Sequence, residues 1–178
     1  MKEVVVHGRT FELYLRAEEI AQHVKAMAAR IKEDYRDKNP ILVCIMNGSF
    51  MFAGELAAAL DETWEMAFAR YSSYAGTQST CQLNEVMPVD VPLEGRSVII
   101  VEDLIDTGFT MRCVRERFLQ LGATDVAVAA LFSKPEAHTP DLEAEYVAMS
   151  IENRFILGHG LDYDGYGRML NDLYQLKD

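Results

Sequence analysis

No stretch of this sequence approaches the roughly 20 consecutive apolar residues that a bilayer-crossing helix needs. Its start, Met1-Lys2-Glu3 followed by Val4 to Val6, lacks the charged-then-apolar pattern of a signal peptide. The expectation is a cytoplasmic protein with no membrane partner. Cysteine is scarce: there are 3, namely Cys44, Cys81 and Cys113. They are widely spaced, and two fall inside apolar-periodic segments, so buried thiols are expected rather than disulfides or metal ligands. The four histidines, His7, His23, His138 and His159, show no zinc-ligand spacing and are expected on the surface or in loops. Positive charge is also in short supply, with 17 Lys and Arg against 28 Asp and Glu and a formal net charge of −11. Lys and Arg occur only in short scattered pairs, which excludes a nucleic-acid backbone as partner. A small anionic substrate, gripped by dipoles and a metal, is not excluded.

What is present is the composition of an ordinary globular protein, 49% hydrophobic and 25% charged. At 178 residues, with no internal repeat and no linker, the chain is expected to form a single domain over residues 1–178. Ile20, Val24, Met27, Ile31 and Tyr35 recur at spacings of three and four, which predicts a helix over Ala17 to Tyr35. Ile41 to Met46 is an apolar run of strand length. Asn47-Gly48-Ser49 turns the chain, and a second helix is predicted from Phe50 to Leu60. Trp64, Met66 and Phe68 alternate as in a strand ending near Arg70. Ser72 to Asn84 then reads as a long polar loop. Ser97 to Val101 and Val126 to Phe132 are further buried-strand runs, with a helix from Met111 to Leu121 between them and Gly122 as its cap. Tyr146 to Ile151 supplies one more strand, and the chain after Phe155 is expected to fold over the sheet edge. Strand, helix, strand in this order implies parallel pairing through right-handed crossovers. The expected fold is therefore α/β, a doubly wound, mostly parallel sheet flanked by helices, with its site at the C-terminal strand ends.

The segment Val101-Glu102-Asp103-Leu104-Ile105-Asp106-Thr107-Gly108-Phe109-Thr110 carries the chemistry. It reads as two acids at the end of a buried strand, then a polar turn that opens a helix. The first N–H groups of that helix have no intrahelical partner and carry the positive end of its dipole, which makes the turn a phosphate cradle. Thr107 and Thr110 add hydroxyl donors, and Gly108 lets the backbone approach an anion closely. Ionised Glu102 and Asp103 only accept hydrogen bonds, which suits vicinal hydroxyls or a divalent cation. An aspartic-protease reading of Asp106-Thr107-Gly108 is set aside, because that triplet belongs in an all-β setting with a second catalytic aspartate.

This ten-residue segment resembles the phosphoribosyl-pyrophosphate motif of type I phosphoribosyltransferases: two acids, then Asp-Thr-Gly-x-Thr between a strand and a helix. The likeness continues in order along the hypoxanthine-guanine branch of that family. Ile41 to Leu56 is similar to its strand and pyrophosphate loop, Ser73-Tyr74 to its mobile-loop pair, and Phe155 to Tyr163 to its purine pocket, so that nearly everything from Ile20 to Arg168 is covered. The resemblance implies the type I phosphoribosyltransferase fold with a small hood from the terminal segments. It implies Mg2+ as cofactor, phosphoribosyl pyrophosphate and a 6-oxopurine as substrates, and a homodimer or homotetramer. It also implies roles. Glu102, Asp103, Asp106, Thr107, Gly108, Phe109 and Thr110 would bind the phosphoribosyl group, Asn47, Gly48 and Arg168 the pyrophosphate, and Lys134, Phe155, Ile156 and Asp162 the purine. Asp106 would accept the proton of the purine ring nitrogen; Glu102, Asp103 and Asp162 would lie at the metal ions. Tyr74 would close over the site. The chain departs from the pattern at Asn47, where many members carry lysine in a loop that often holds a cis peptide, and at Glu152-Asn153 ahead of the stacking aromatic. Two rival readings are a phosphoribosyltransferase of another base such as xanthine, and a ligand-sensing regulator on the same fold.

Overall fold

The computed structural model describes residues 2–73, 81, 83–138 and 144–177. Its backbone is a six-stranded sheet whose centre is apolar on both faces. Strand β3 (Ile41–Ile45) is buried at every residue. On one side of it lies β4 (Glu65–Ser73), and on the other β6 (Ser97–Ile105), β7 (Asp125–Ser133) and β8 (Tyr146–Ser150), all parallel. An antiparallel edge strand, β5 (Leu83–Met87), completes the order β5-β4-β3-β6-β7-β8.

Alternation across the pleat sorts the core into two layers. Leu42, Cys44, Ile99 and Val101 face helices α1 (Ala17–Asp34) and α2 (Phe50–Leu60). Ile41, Val43, Val98 and Ile100 share the opposite layer with Val114 and Phe118 of α3 (Phe109–Gln120). The crossover from β3 leads to β4 in one direction, and that from β6 leads to β7 in the other. The C-terminal ends of β3 and β6 are therefore the topological switch point, where open α/β sheets form their ligand crevice.

Beyond this sheet sits the hood, an antiparallel sheet in the order β1 (Glu3–Val6), β2 (Arg9–Leu15), β10 (Leu173–Leu176), β9 (Ile156–Gly158). Its core is small: Phe11, Leu157 and Tyr174 are buried, with Leu13, Tyr163 and Leu176 packed around them. The fold is thus the doubly wound α/β architecture expected, with the terminal segments forming the hood.

Four expectations are corrected. First, β6 does not stop at Val101. Glu102 pairs opposite Ala130 and Leu104 opposite Phe132, so both acids lie inside the strand and the sheet carries them to the crevice. Second, the two ends of the stretch from Ser72 to Asn84 are strand and not loop, because β4 runs to Ser73 and Ser72 and Ser73 pair with Asn84 and Leu83 of β5. Third, Cys81 and Cys113 form a disulfide, leaving buried Cys44 as the free thiol. The return of β5 beside α3 brings their Cα atoms to 5.1 Å, inside the span a disulfide needs. Fourth, His159 is a core residue and not a surface one, 1% exposed. Tyr74 lies outside the described residues.

Candidate active site

Three chain segments meet at the switch point. The first is the end of β6 and the turn into α3. Gly108 occupies the N-cap of α3 with φ of 86°, a left-handed conformation that glycine adopts without a Cβ penalty. Thr107 turns its hydroxyl oxygen toward the Phe109 N–H at 3.4 Å. The turn is exposed at Asp106 and Thr107, as a turn that receives a ligand must be.

Glu102 and Asp103 stand next to this turn. Asp103 Oδ1 accepts the N–H of Leu104 at 3.0 Å. Glu102 is half-buried, and its Oε2, itself shut off from solvent, has no hydrogen-bond partner among the described residues. Burial pushes its proton affinity well above the ordinary carboxyl range, and the neighbouring Asp103 raises it further through charge and a hydrogen bond. A buried acceptor without a donor is costly. Ribose hydroxyls, or a divalent cation, are the groups that would satisfy it, so the donor set fits a metal-chelated sugar. No cluster of three or more metal-ligating side chains occurs among the described residues. A cation here would accordingly draw most of its ligands from the substrate and water, as magnesium prefers.

The second segment is the loop after β3. Met46-Asn47 is a cis peptide, the feature that the family likeness raised. Ser49 is buried and its hydroxyl donates to the Ile45 carbonyl at 2.6 Å, closing the loop before α2 begins. Gly48 is pressed so closely on its neighbours that a Cβ there would collide with the Asp103 carboxylate. Gly160 is equally constrained, since its own Cβ would strike the Gly48 carbonyl. Asp103, Gly48 and Gly160 thus form a stack that joins β6, the β3 loop and the hood.

The third segment runs from Phe155 to Arg168. Arg168 donates through Nη1 to the Gly160 carbonyl at 2.9 Å and pairs through Nη2 with Asp162 Oδ1 at 2.7 Å. Asp162 also accepts the Gly165 N–H at 2.7 Å. Phe155 is 48% exposed, with its inner edge against Tyr163 at 5.5 Å between ring centroids and Phe11 at 6.1 Å. That leaves one aromatic face available for stacking. Ile156 is buried in β9, where only its backbone can address a ligand.

Lys134 follows β7 directly. Its N–H donates to the Ile105 carbonyl at 3.0 Å, and the residue is 6% exposed. The ammonium lies 3.6 Å from Asp106 Oδ2, whose own side chain is 56% exposed. A nearly buried cation thus faces an open carboxylate at the lip of the crevice.

The structure brings together Glu102, Asp103, the turn 106–110, Lys134, Gly48 and, through Gly160, Arg168 and Asp162. Ser73 ends β4, and its partner in the mobile-loop likeness, Tyr74, is not among the described residues. Sequence reasoning missed the contact between Glu55 of α2 and His159, whose Nε2 lies 3.3 Å from Glu55 Oε2. Two signals were available: Glu55 is the one charged residue in α2, and His159 is bracketed by glycines.

Comparison with known proteins agrees with this geometry. Residues 11–164 match the phosphoribosyl transferase domain family. A hypoxanthine-guanine phosphoribosyltransferase of Streptococcus thermophilus is 41% identical over 162 residues, covering 90% of each chain. A hypoxanthine phosphoribosyltransferase structure from Staphylococcus aureus superposes with a TM-score of 0.88 at 32% identity, covering 93% of this chain and 91% of that one. A hypoxanthine phosphoribosyl transferase from Trypanosoma cruzi gives 0.89 at 29% identity, covering 98% and 95%.

Proposed function

This chain belongs to the phosphoribosyl transferase family, and from that premise we propose that it is a purine-salvage enzyme joining a 6-oxopurine to the 5-phosphoribosyl group of phosphoribosyl pyrophosphate. Hypoxanthine would give IMP and guanine GMP, with pyrophosphate released in both cases. A purine ring nitrogen forms the new bond to the anomeric carbon, the carbon–oxygen bond to pyrophosphate breaks, and the ring N–H proton passes to a base. The observation that carries the reading is the Asp106–Lys134 pair at 3.6 Å beside the phosphate turn.

Asp106 is exposed and within reach of a ring bound over the sugar, so it serves as the proton acceptor. Lys134, held by burial, donates to the 6-oxo group, and a fixed cation there disfavours the amino group of adenine. Phe155 stacks on the base while the Ile156 backbone reads its edge. The turn 106–110 holds the 5-phosphate. Glu102 and Asp103 accept from the ribose hydroxyls, and Arg168, with the backbone at Asn47 and Gly48, faces the pyrophosphate. Glu102 and Asp103, together with the sugar, would hold a magnesium ion and Asp162 would lie near a second, and the metal would supply Lewis-acid neutralisation of the leaving group's charge.

The test is direct: purified chain, magnesium, phosphoribosyl pyrophosphate and each of hypoxanthine, guanine, xanthine and adenine, with the nucleotide identified by mass. IMP and GMP are expected. XMP as the main product, or no nucleotide from any base, overturns the reading. Asp106→Asn is expected to lower kcat by about 100-fold or more, the usual range for removing a general base. A loss under about tenfold, roughly 1.4 kcal/mol of barrier, removes Asp106 from that role.

A further inference from the structure

His159 is buried in the hood between two acceptors. Nδ1 lies 2.7 Å from the Asn171 carbonyl oxygen, and Nε2 lies 3.3 Å from Glu55 Oε2. A carbonyl only accepts, so Nδ1 must carry a hydrogen. In a neutral ring Nε2 would then present its lone pair to the carboxylate, lone pair against lone pair. The arrangement is satisfied when the ring carries both hydrogens. The backbone points the same way: Gly158, His159 and Gly160 have φ of 100°, 49° and 99°, and a left-handed histidine is held only where its surroundings over-determine it. What the turn delivers is Gly160, seated on the Gly48 carbonyl with its own carbonyl receiving Arg168.

We propose that His159 is a positioning residue: a buried imidazolium that pins the hood to helix α2 and thereby holds Gly160 on Gly48, fixing the shape of the pyrophosphate side of the site. The proposal rests on the phosphoribosyl-transfer reading above. Glu55 of α2 and Asp172, in the segment before β10, are the charged groups that act on the ring; Asp172 also accepts the Ala17 N–H at the start of α1 at 2.9 Å. Burial works against the charged ring. The bonds to Glu55 and Asn171 and the charges of Glu55 and Asp172 outweigh it and raise its proton affinity above the ordinary value of 6.5. For a raised base, the clamp is complete below that ordinary value and is lost as pH rises through the folded-state value.

Glu55→Gln separates a proton-dependent clamp from simple packing. The Gln amide can donate to Nε2 of a neutral ring while Nδ1 still donates to Asn171, so the contact survives without the charge. In nitrogen-15 NMR of the free protein, the His159 ring is expected to be doubly protonated at pH 6.5 and to lose one proton at higher pH; in Glu55→Gln, which lacks the carboxylate, it is expected to be neutral over that same range. In kinetics, KM for phosphoribosyl pyrophosphate in the unaltered chain is expected to rise on the order of fivefold across that titration with kcat little changed, the size of one weakened hydrogen bond. Glu55→Gln is expected to hold a KM with no added pH dependence, and because both proteins meet the same substrate, its own ionisation cancels in the comparison. A singly protonated His159 at pH 6.5, or superimposable KM profiles for the two proteins, overturns the proposal. Absence of nucleotide synthesis in either protein would instead count against the reading of function, and the NMR result stands independently of it.

Discussion

The two sheets of this protein hold their halves of the site by different means. The six-stranded sheet buries whole strands, and its contribution to the proposed sugar-phosphate site is local: one segment, from Glu102 to Thr110, supplies the acids, the turn and the helix start. The hood buries a handful of side chains and collects its residues from far apart, with Phe11, Phe155, Tyr163 and Tyr174 brought into one cluster. On the proposed reading, sugar recognition rests on a stiff, contiguous element, and stacking on the base on a small assembled one. Disturbing the hood's aromatic cluster, as distinct from the Gly160 turn that abuts the loop after β3, should harm purine binding before it harms the sugar site.

The largest expected effect tests that contrast at Phe11, which is fully buried. Phe11→Ala is expected to cost about 3–5 kcal/mol, as large aromatic truncations in cores do. Urea unfolding measures the cost, and hydrogen exchange should show the loss concentrated in β1, β2, β9 and β10. KM for hypoxanthine should rise well ahead of KM for phosphoribosyl pyrophosphate; equal rises would show that the halves are not separable. Next comes the disulfide. Cys81 and Cys113 are 32 positions apart, and closing such a loop stabilises by roughly 3–4 kcal/mol in the chain-entropy picture. Reduction of the oxidised chain should lower Tm by on the order of 10 °C, with faster exchange in β5 and α3 and little change in the hood. The smallest effect is at Lys134. Lys134→Met removes the proposed donor to the 6-oxo group and should raise KM for hypoxanthine by about tenfold, the scale of one charge-assisted hydrogen bond. Pyrophosphorolysis of a nucleotide whose base lacks a 6-oxo group should be much less affected.

The same contrast explains what could be read from the sequence. Helix α2 falls where its pattern placed it, residues Phe50 to Leu60, and the buried strands were visible as apolar runs. The phosphate turn was legible because all of its parts are adjacent in the chain. Strand β5 was not, because Leu-Asn-Glu-Val-Met is an edge strand, half exposed and without a clean alternation. The β1–β2 hairpin hides behind a two-residue turn, His7-Gly8, in which both residues have positive φ. The disulfide and the Glu55–His159 contact join positions 32 and 104 residues apart, and spacing arguments do not reach pairings of that kind.

The place of β10 in the hood has a consequence for how the protein is made. It lies between β2 and β9 and bonds to both. During synthesis, β2 emerges early and must then wait, its inner edge bare, until Leu173–Leu176 has left the ribosome. The strands of the parallel sheet all precede β10 in the chain, and none of them pairs with it. An unpaired edge strand is a template for the wrong partner, so the interval between those two moments is when the nascent chain most needs a chaperone's shelter.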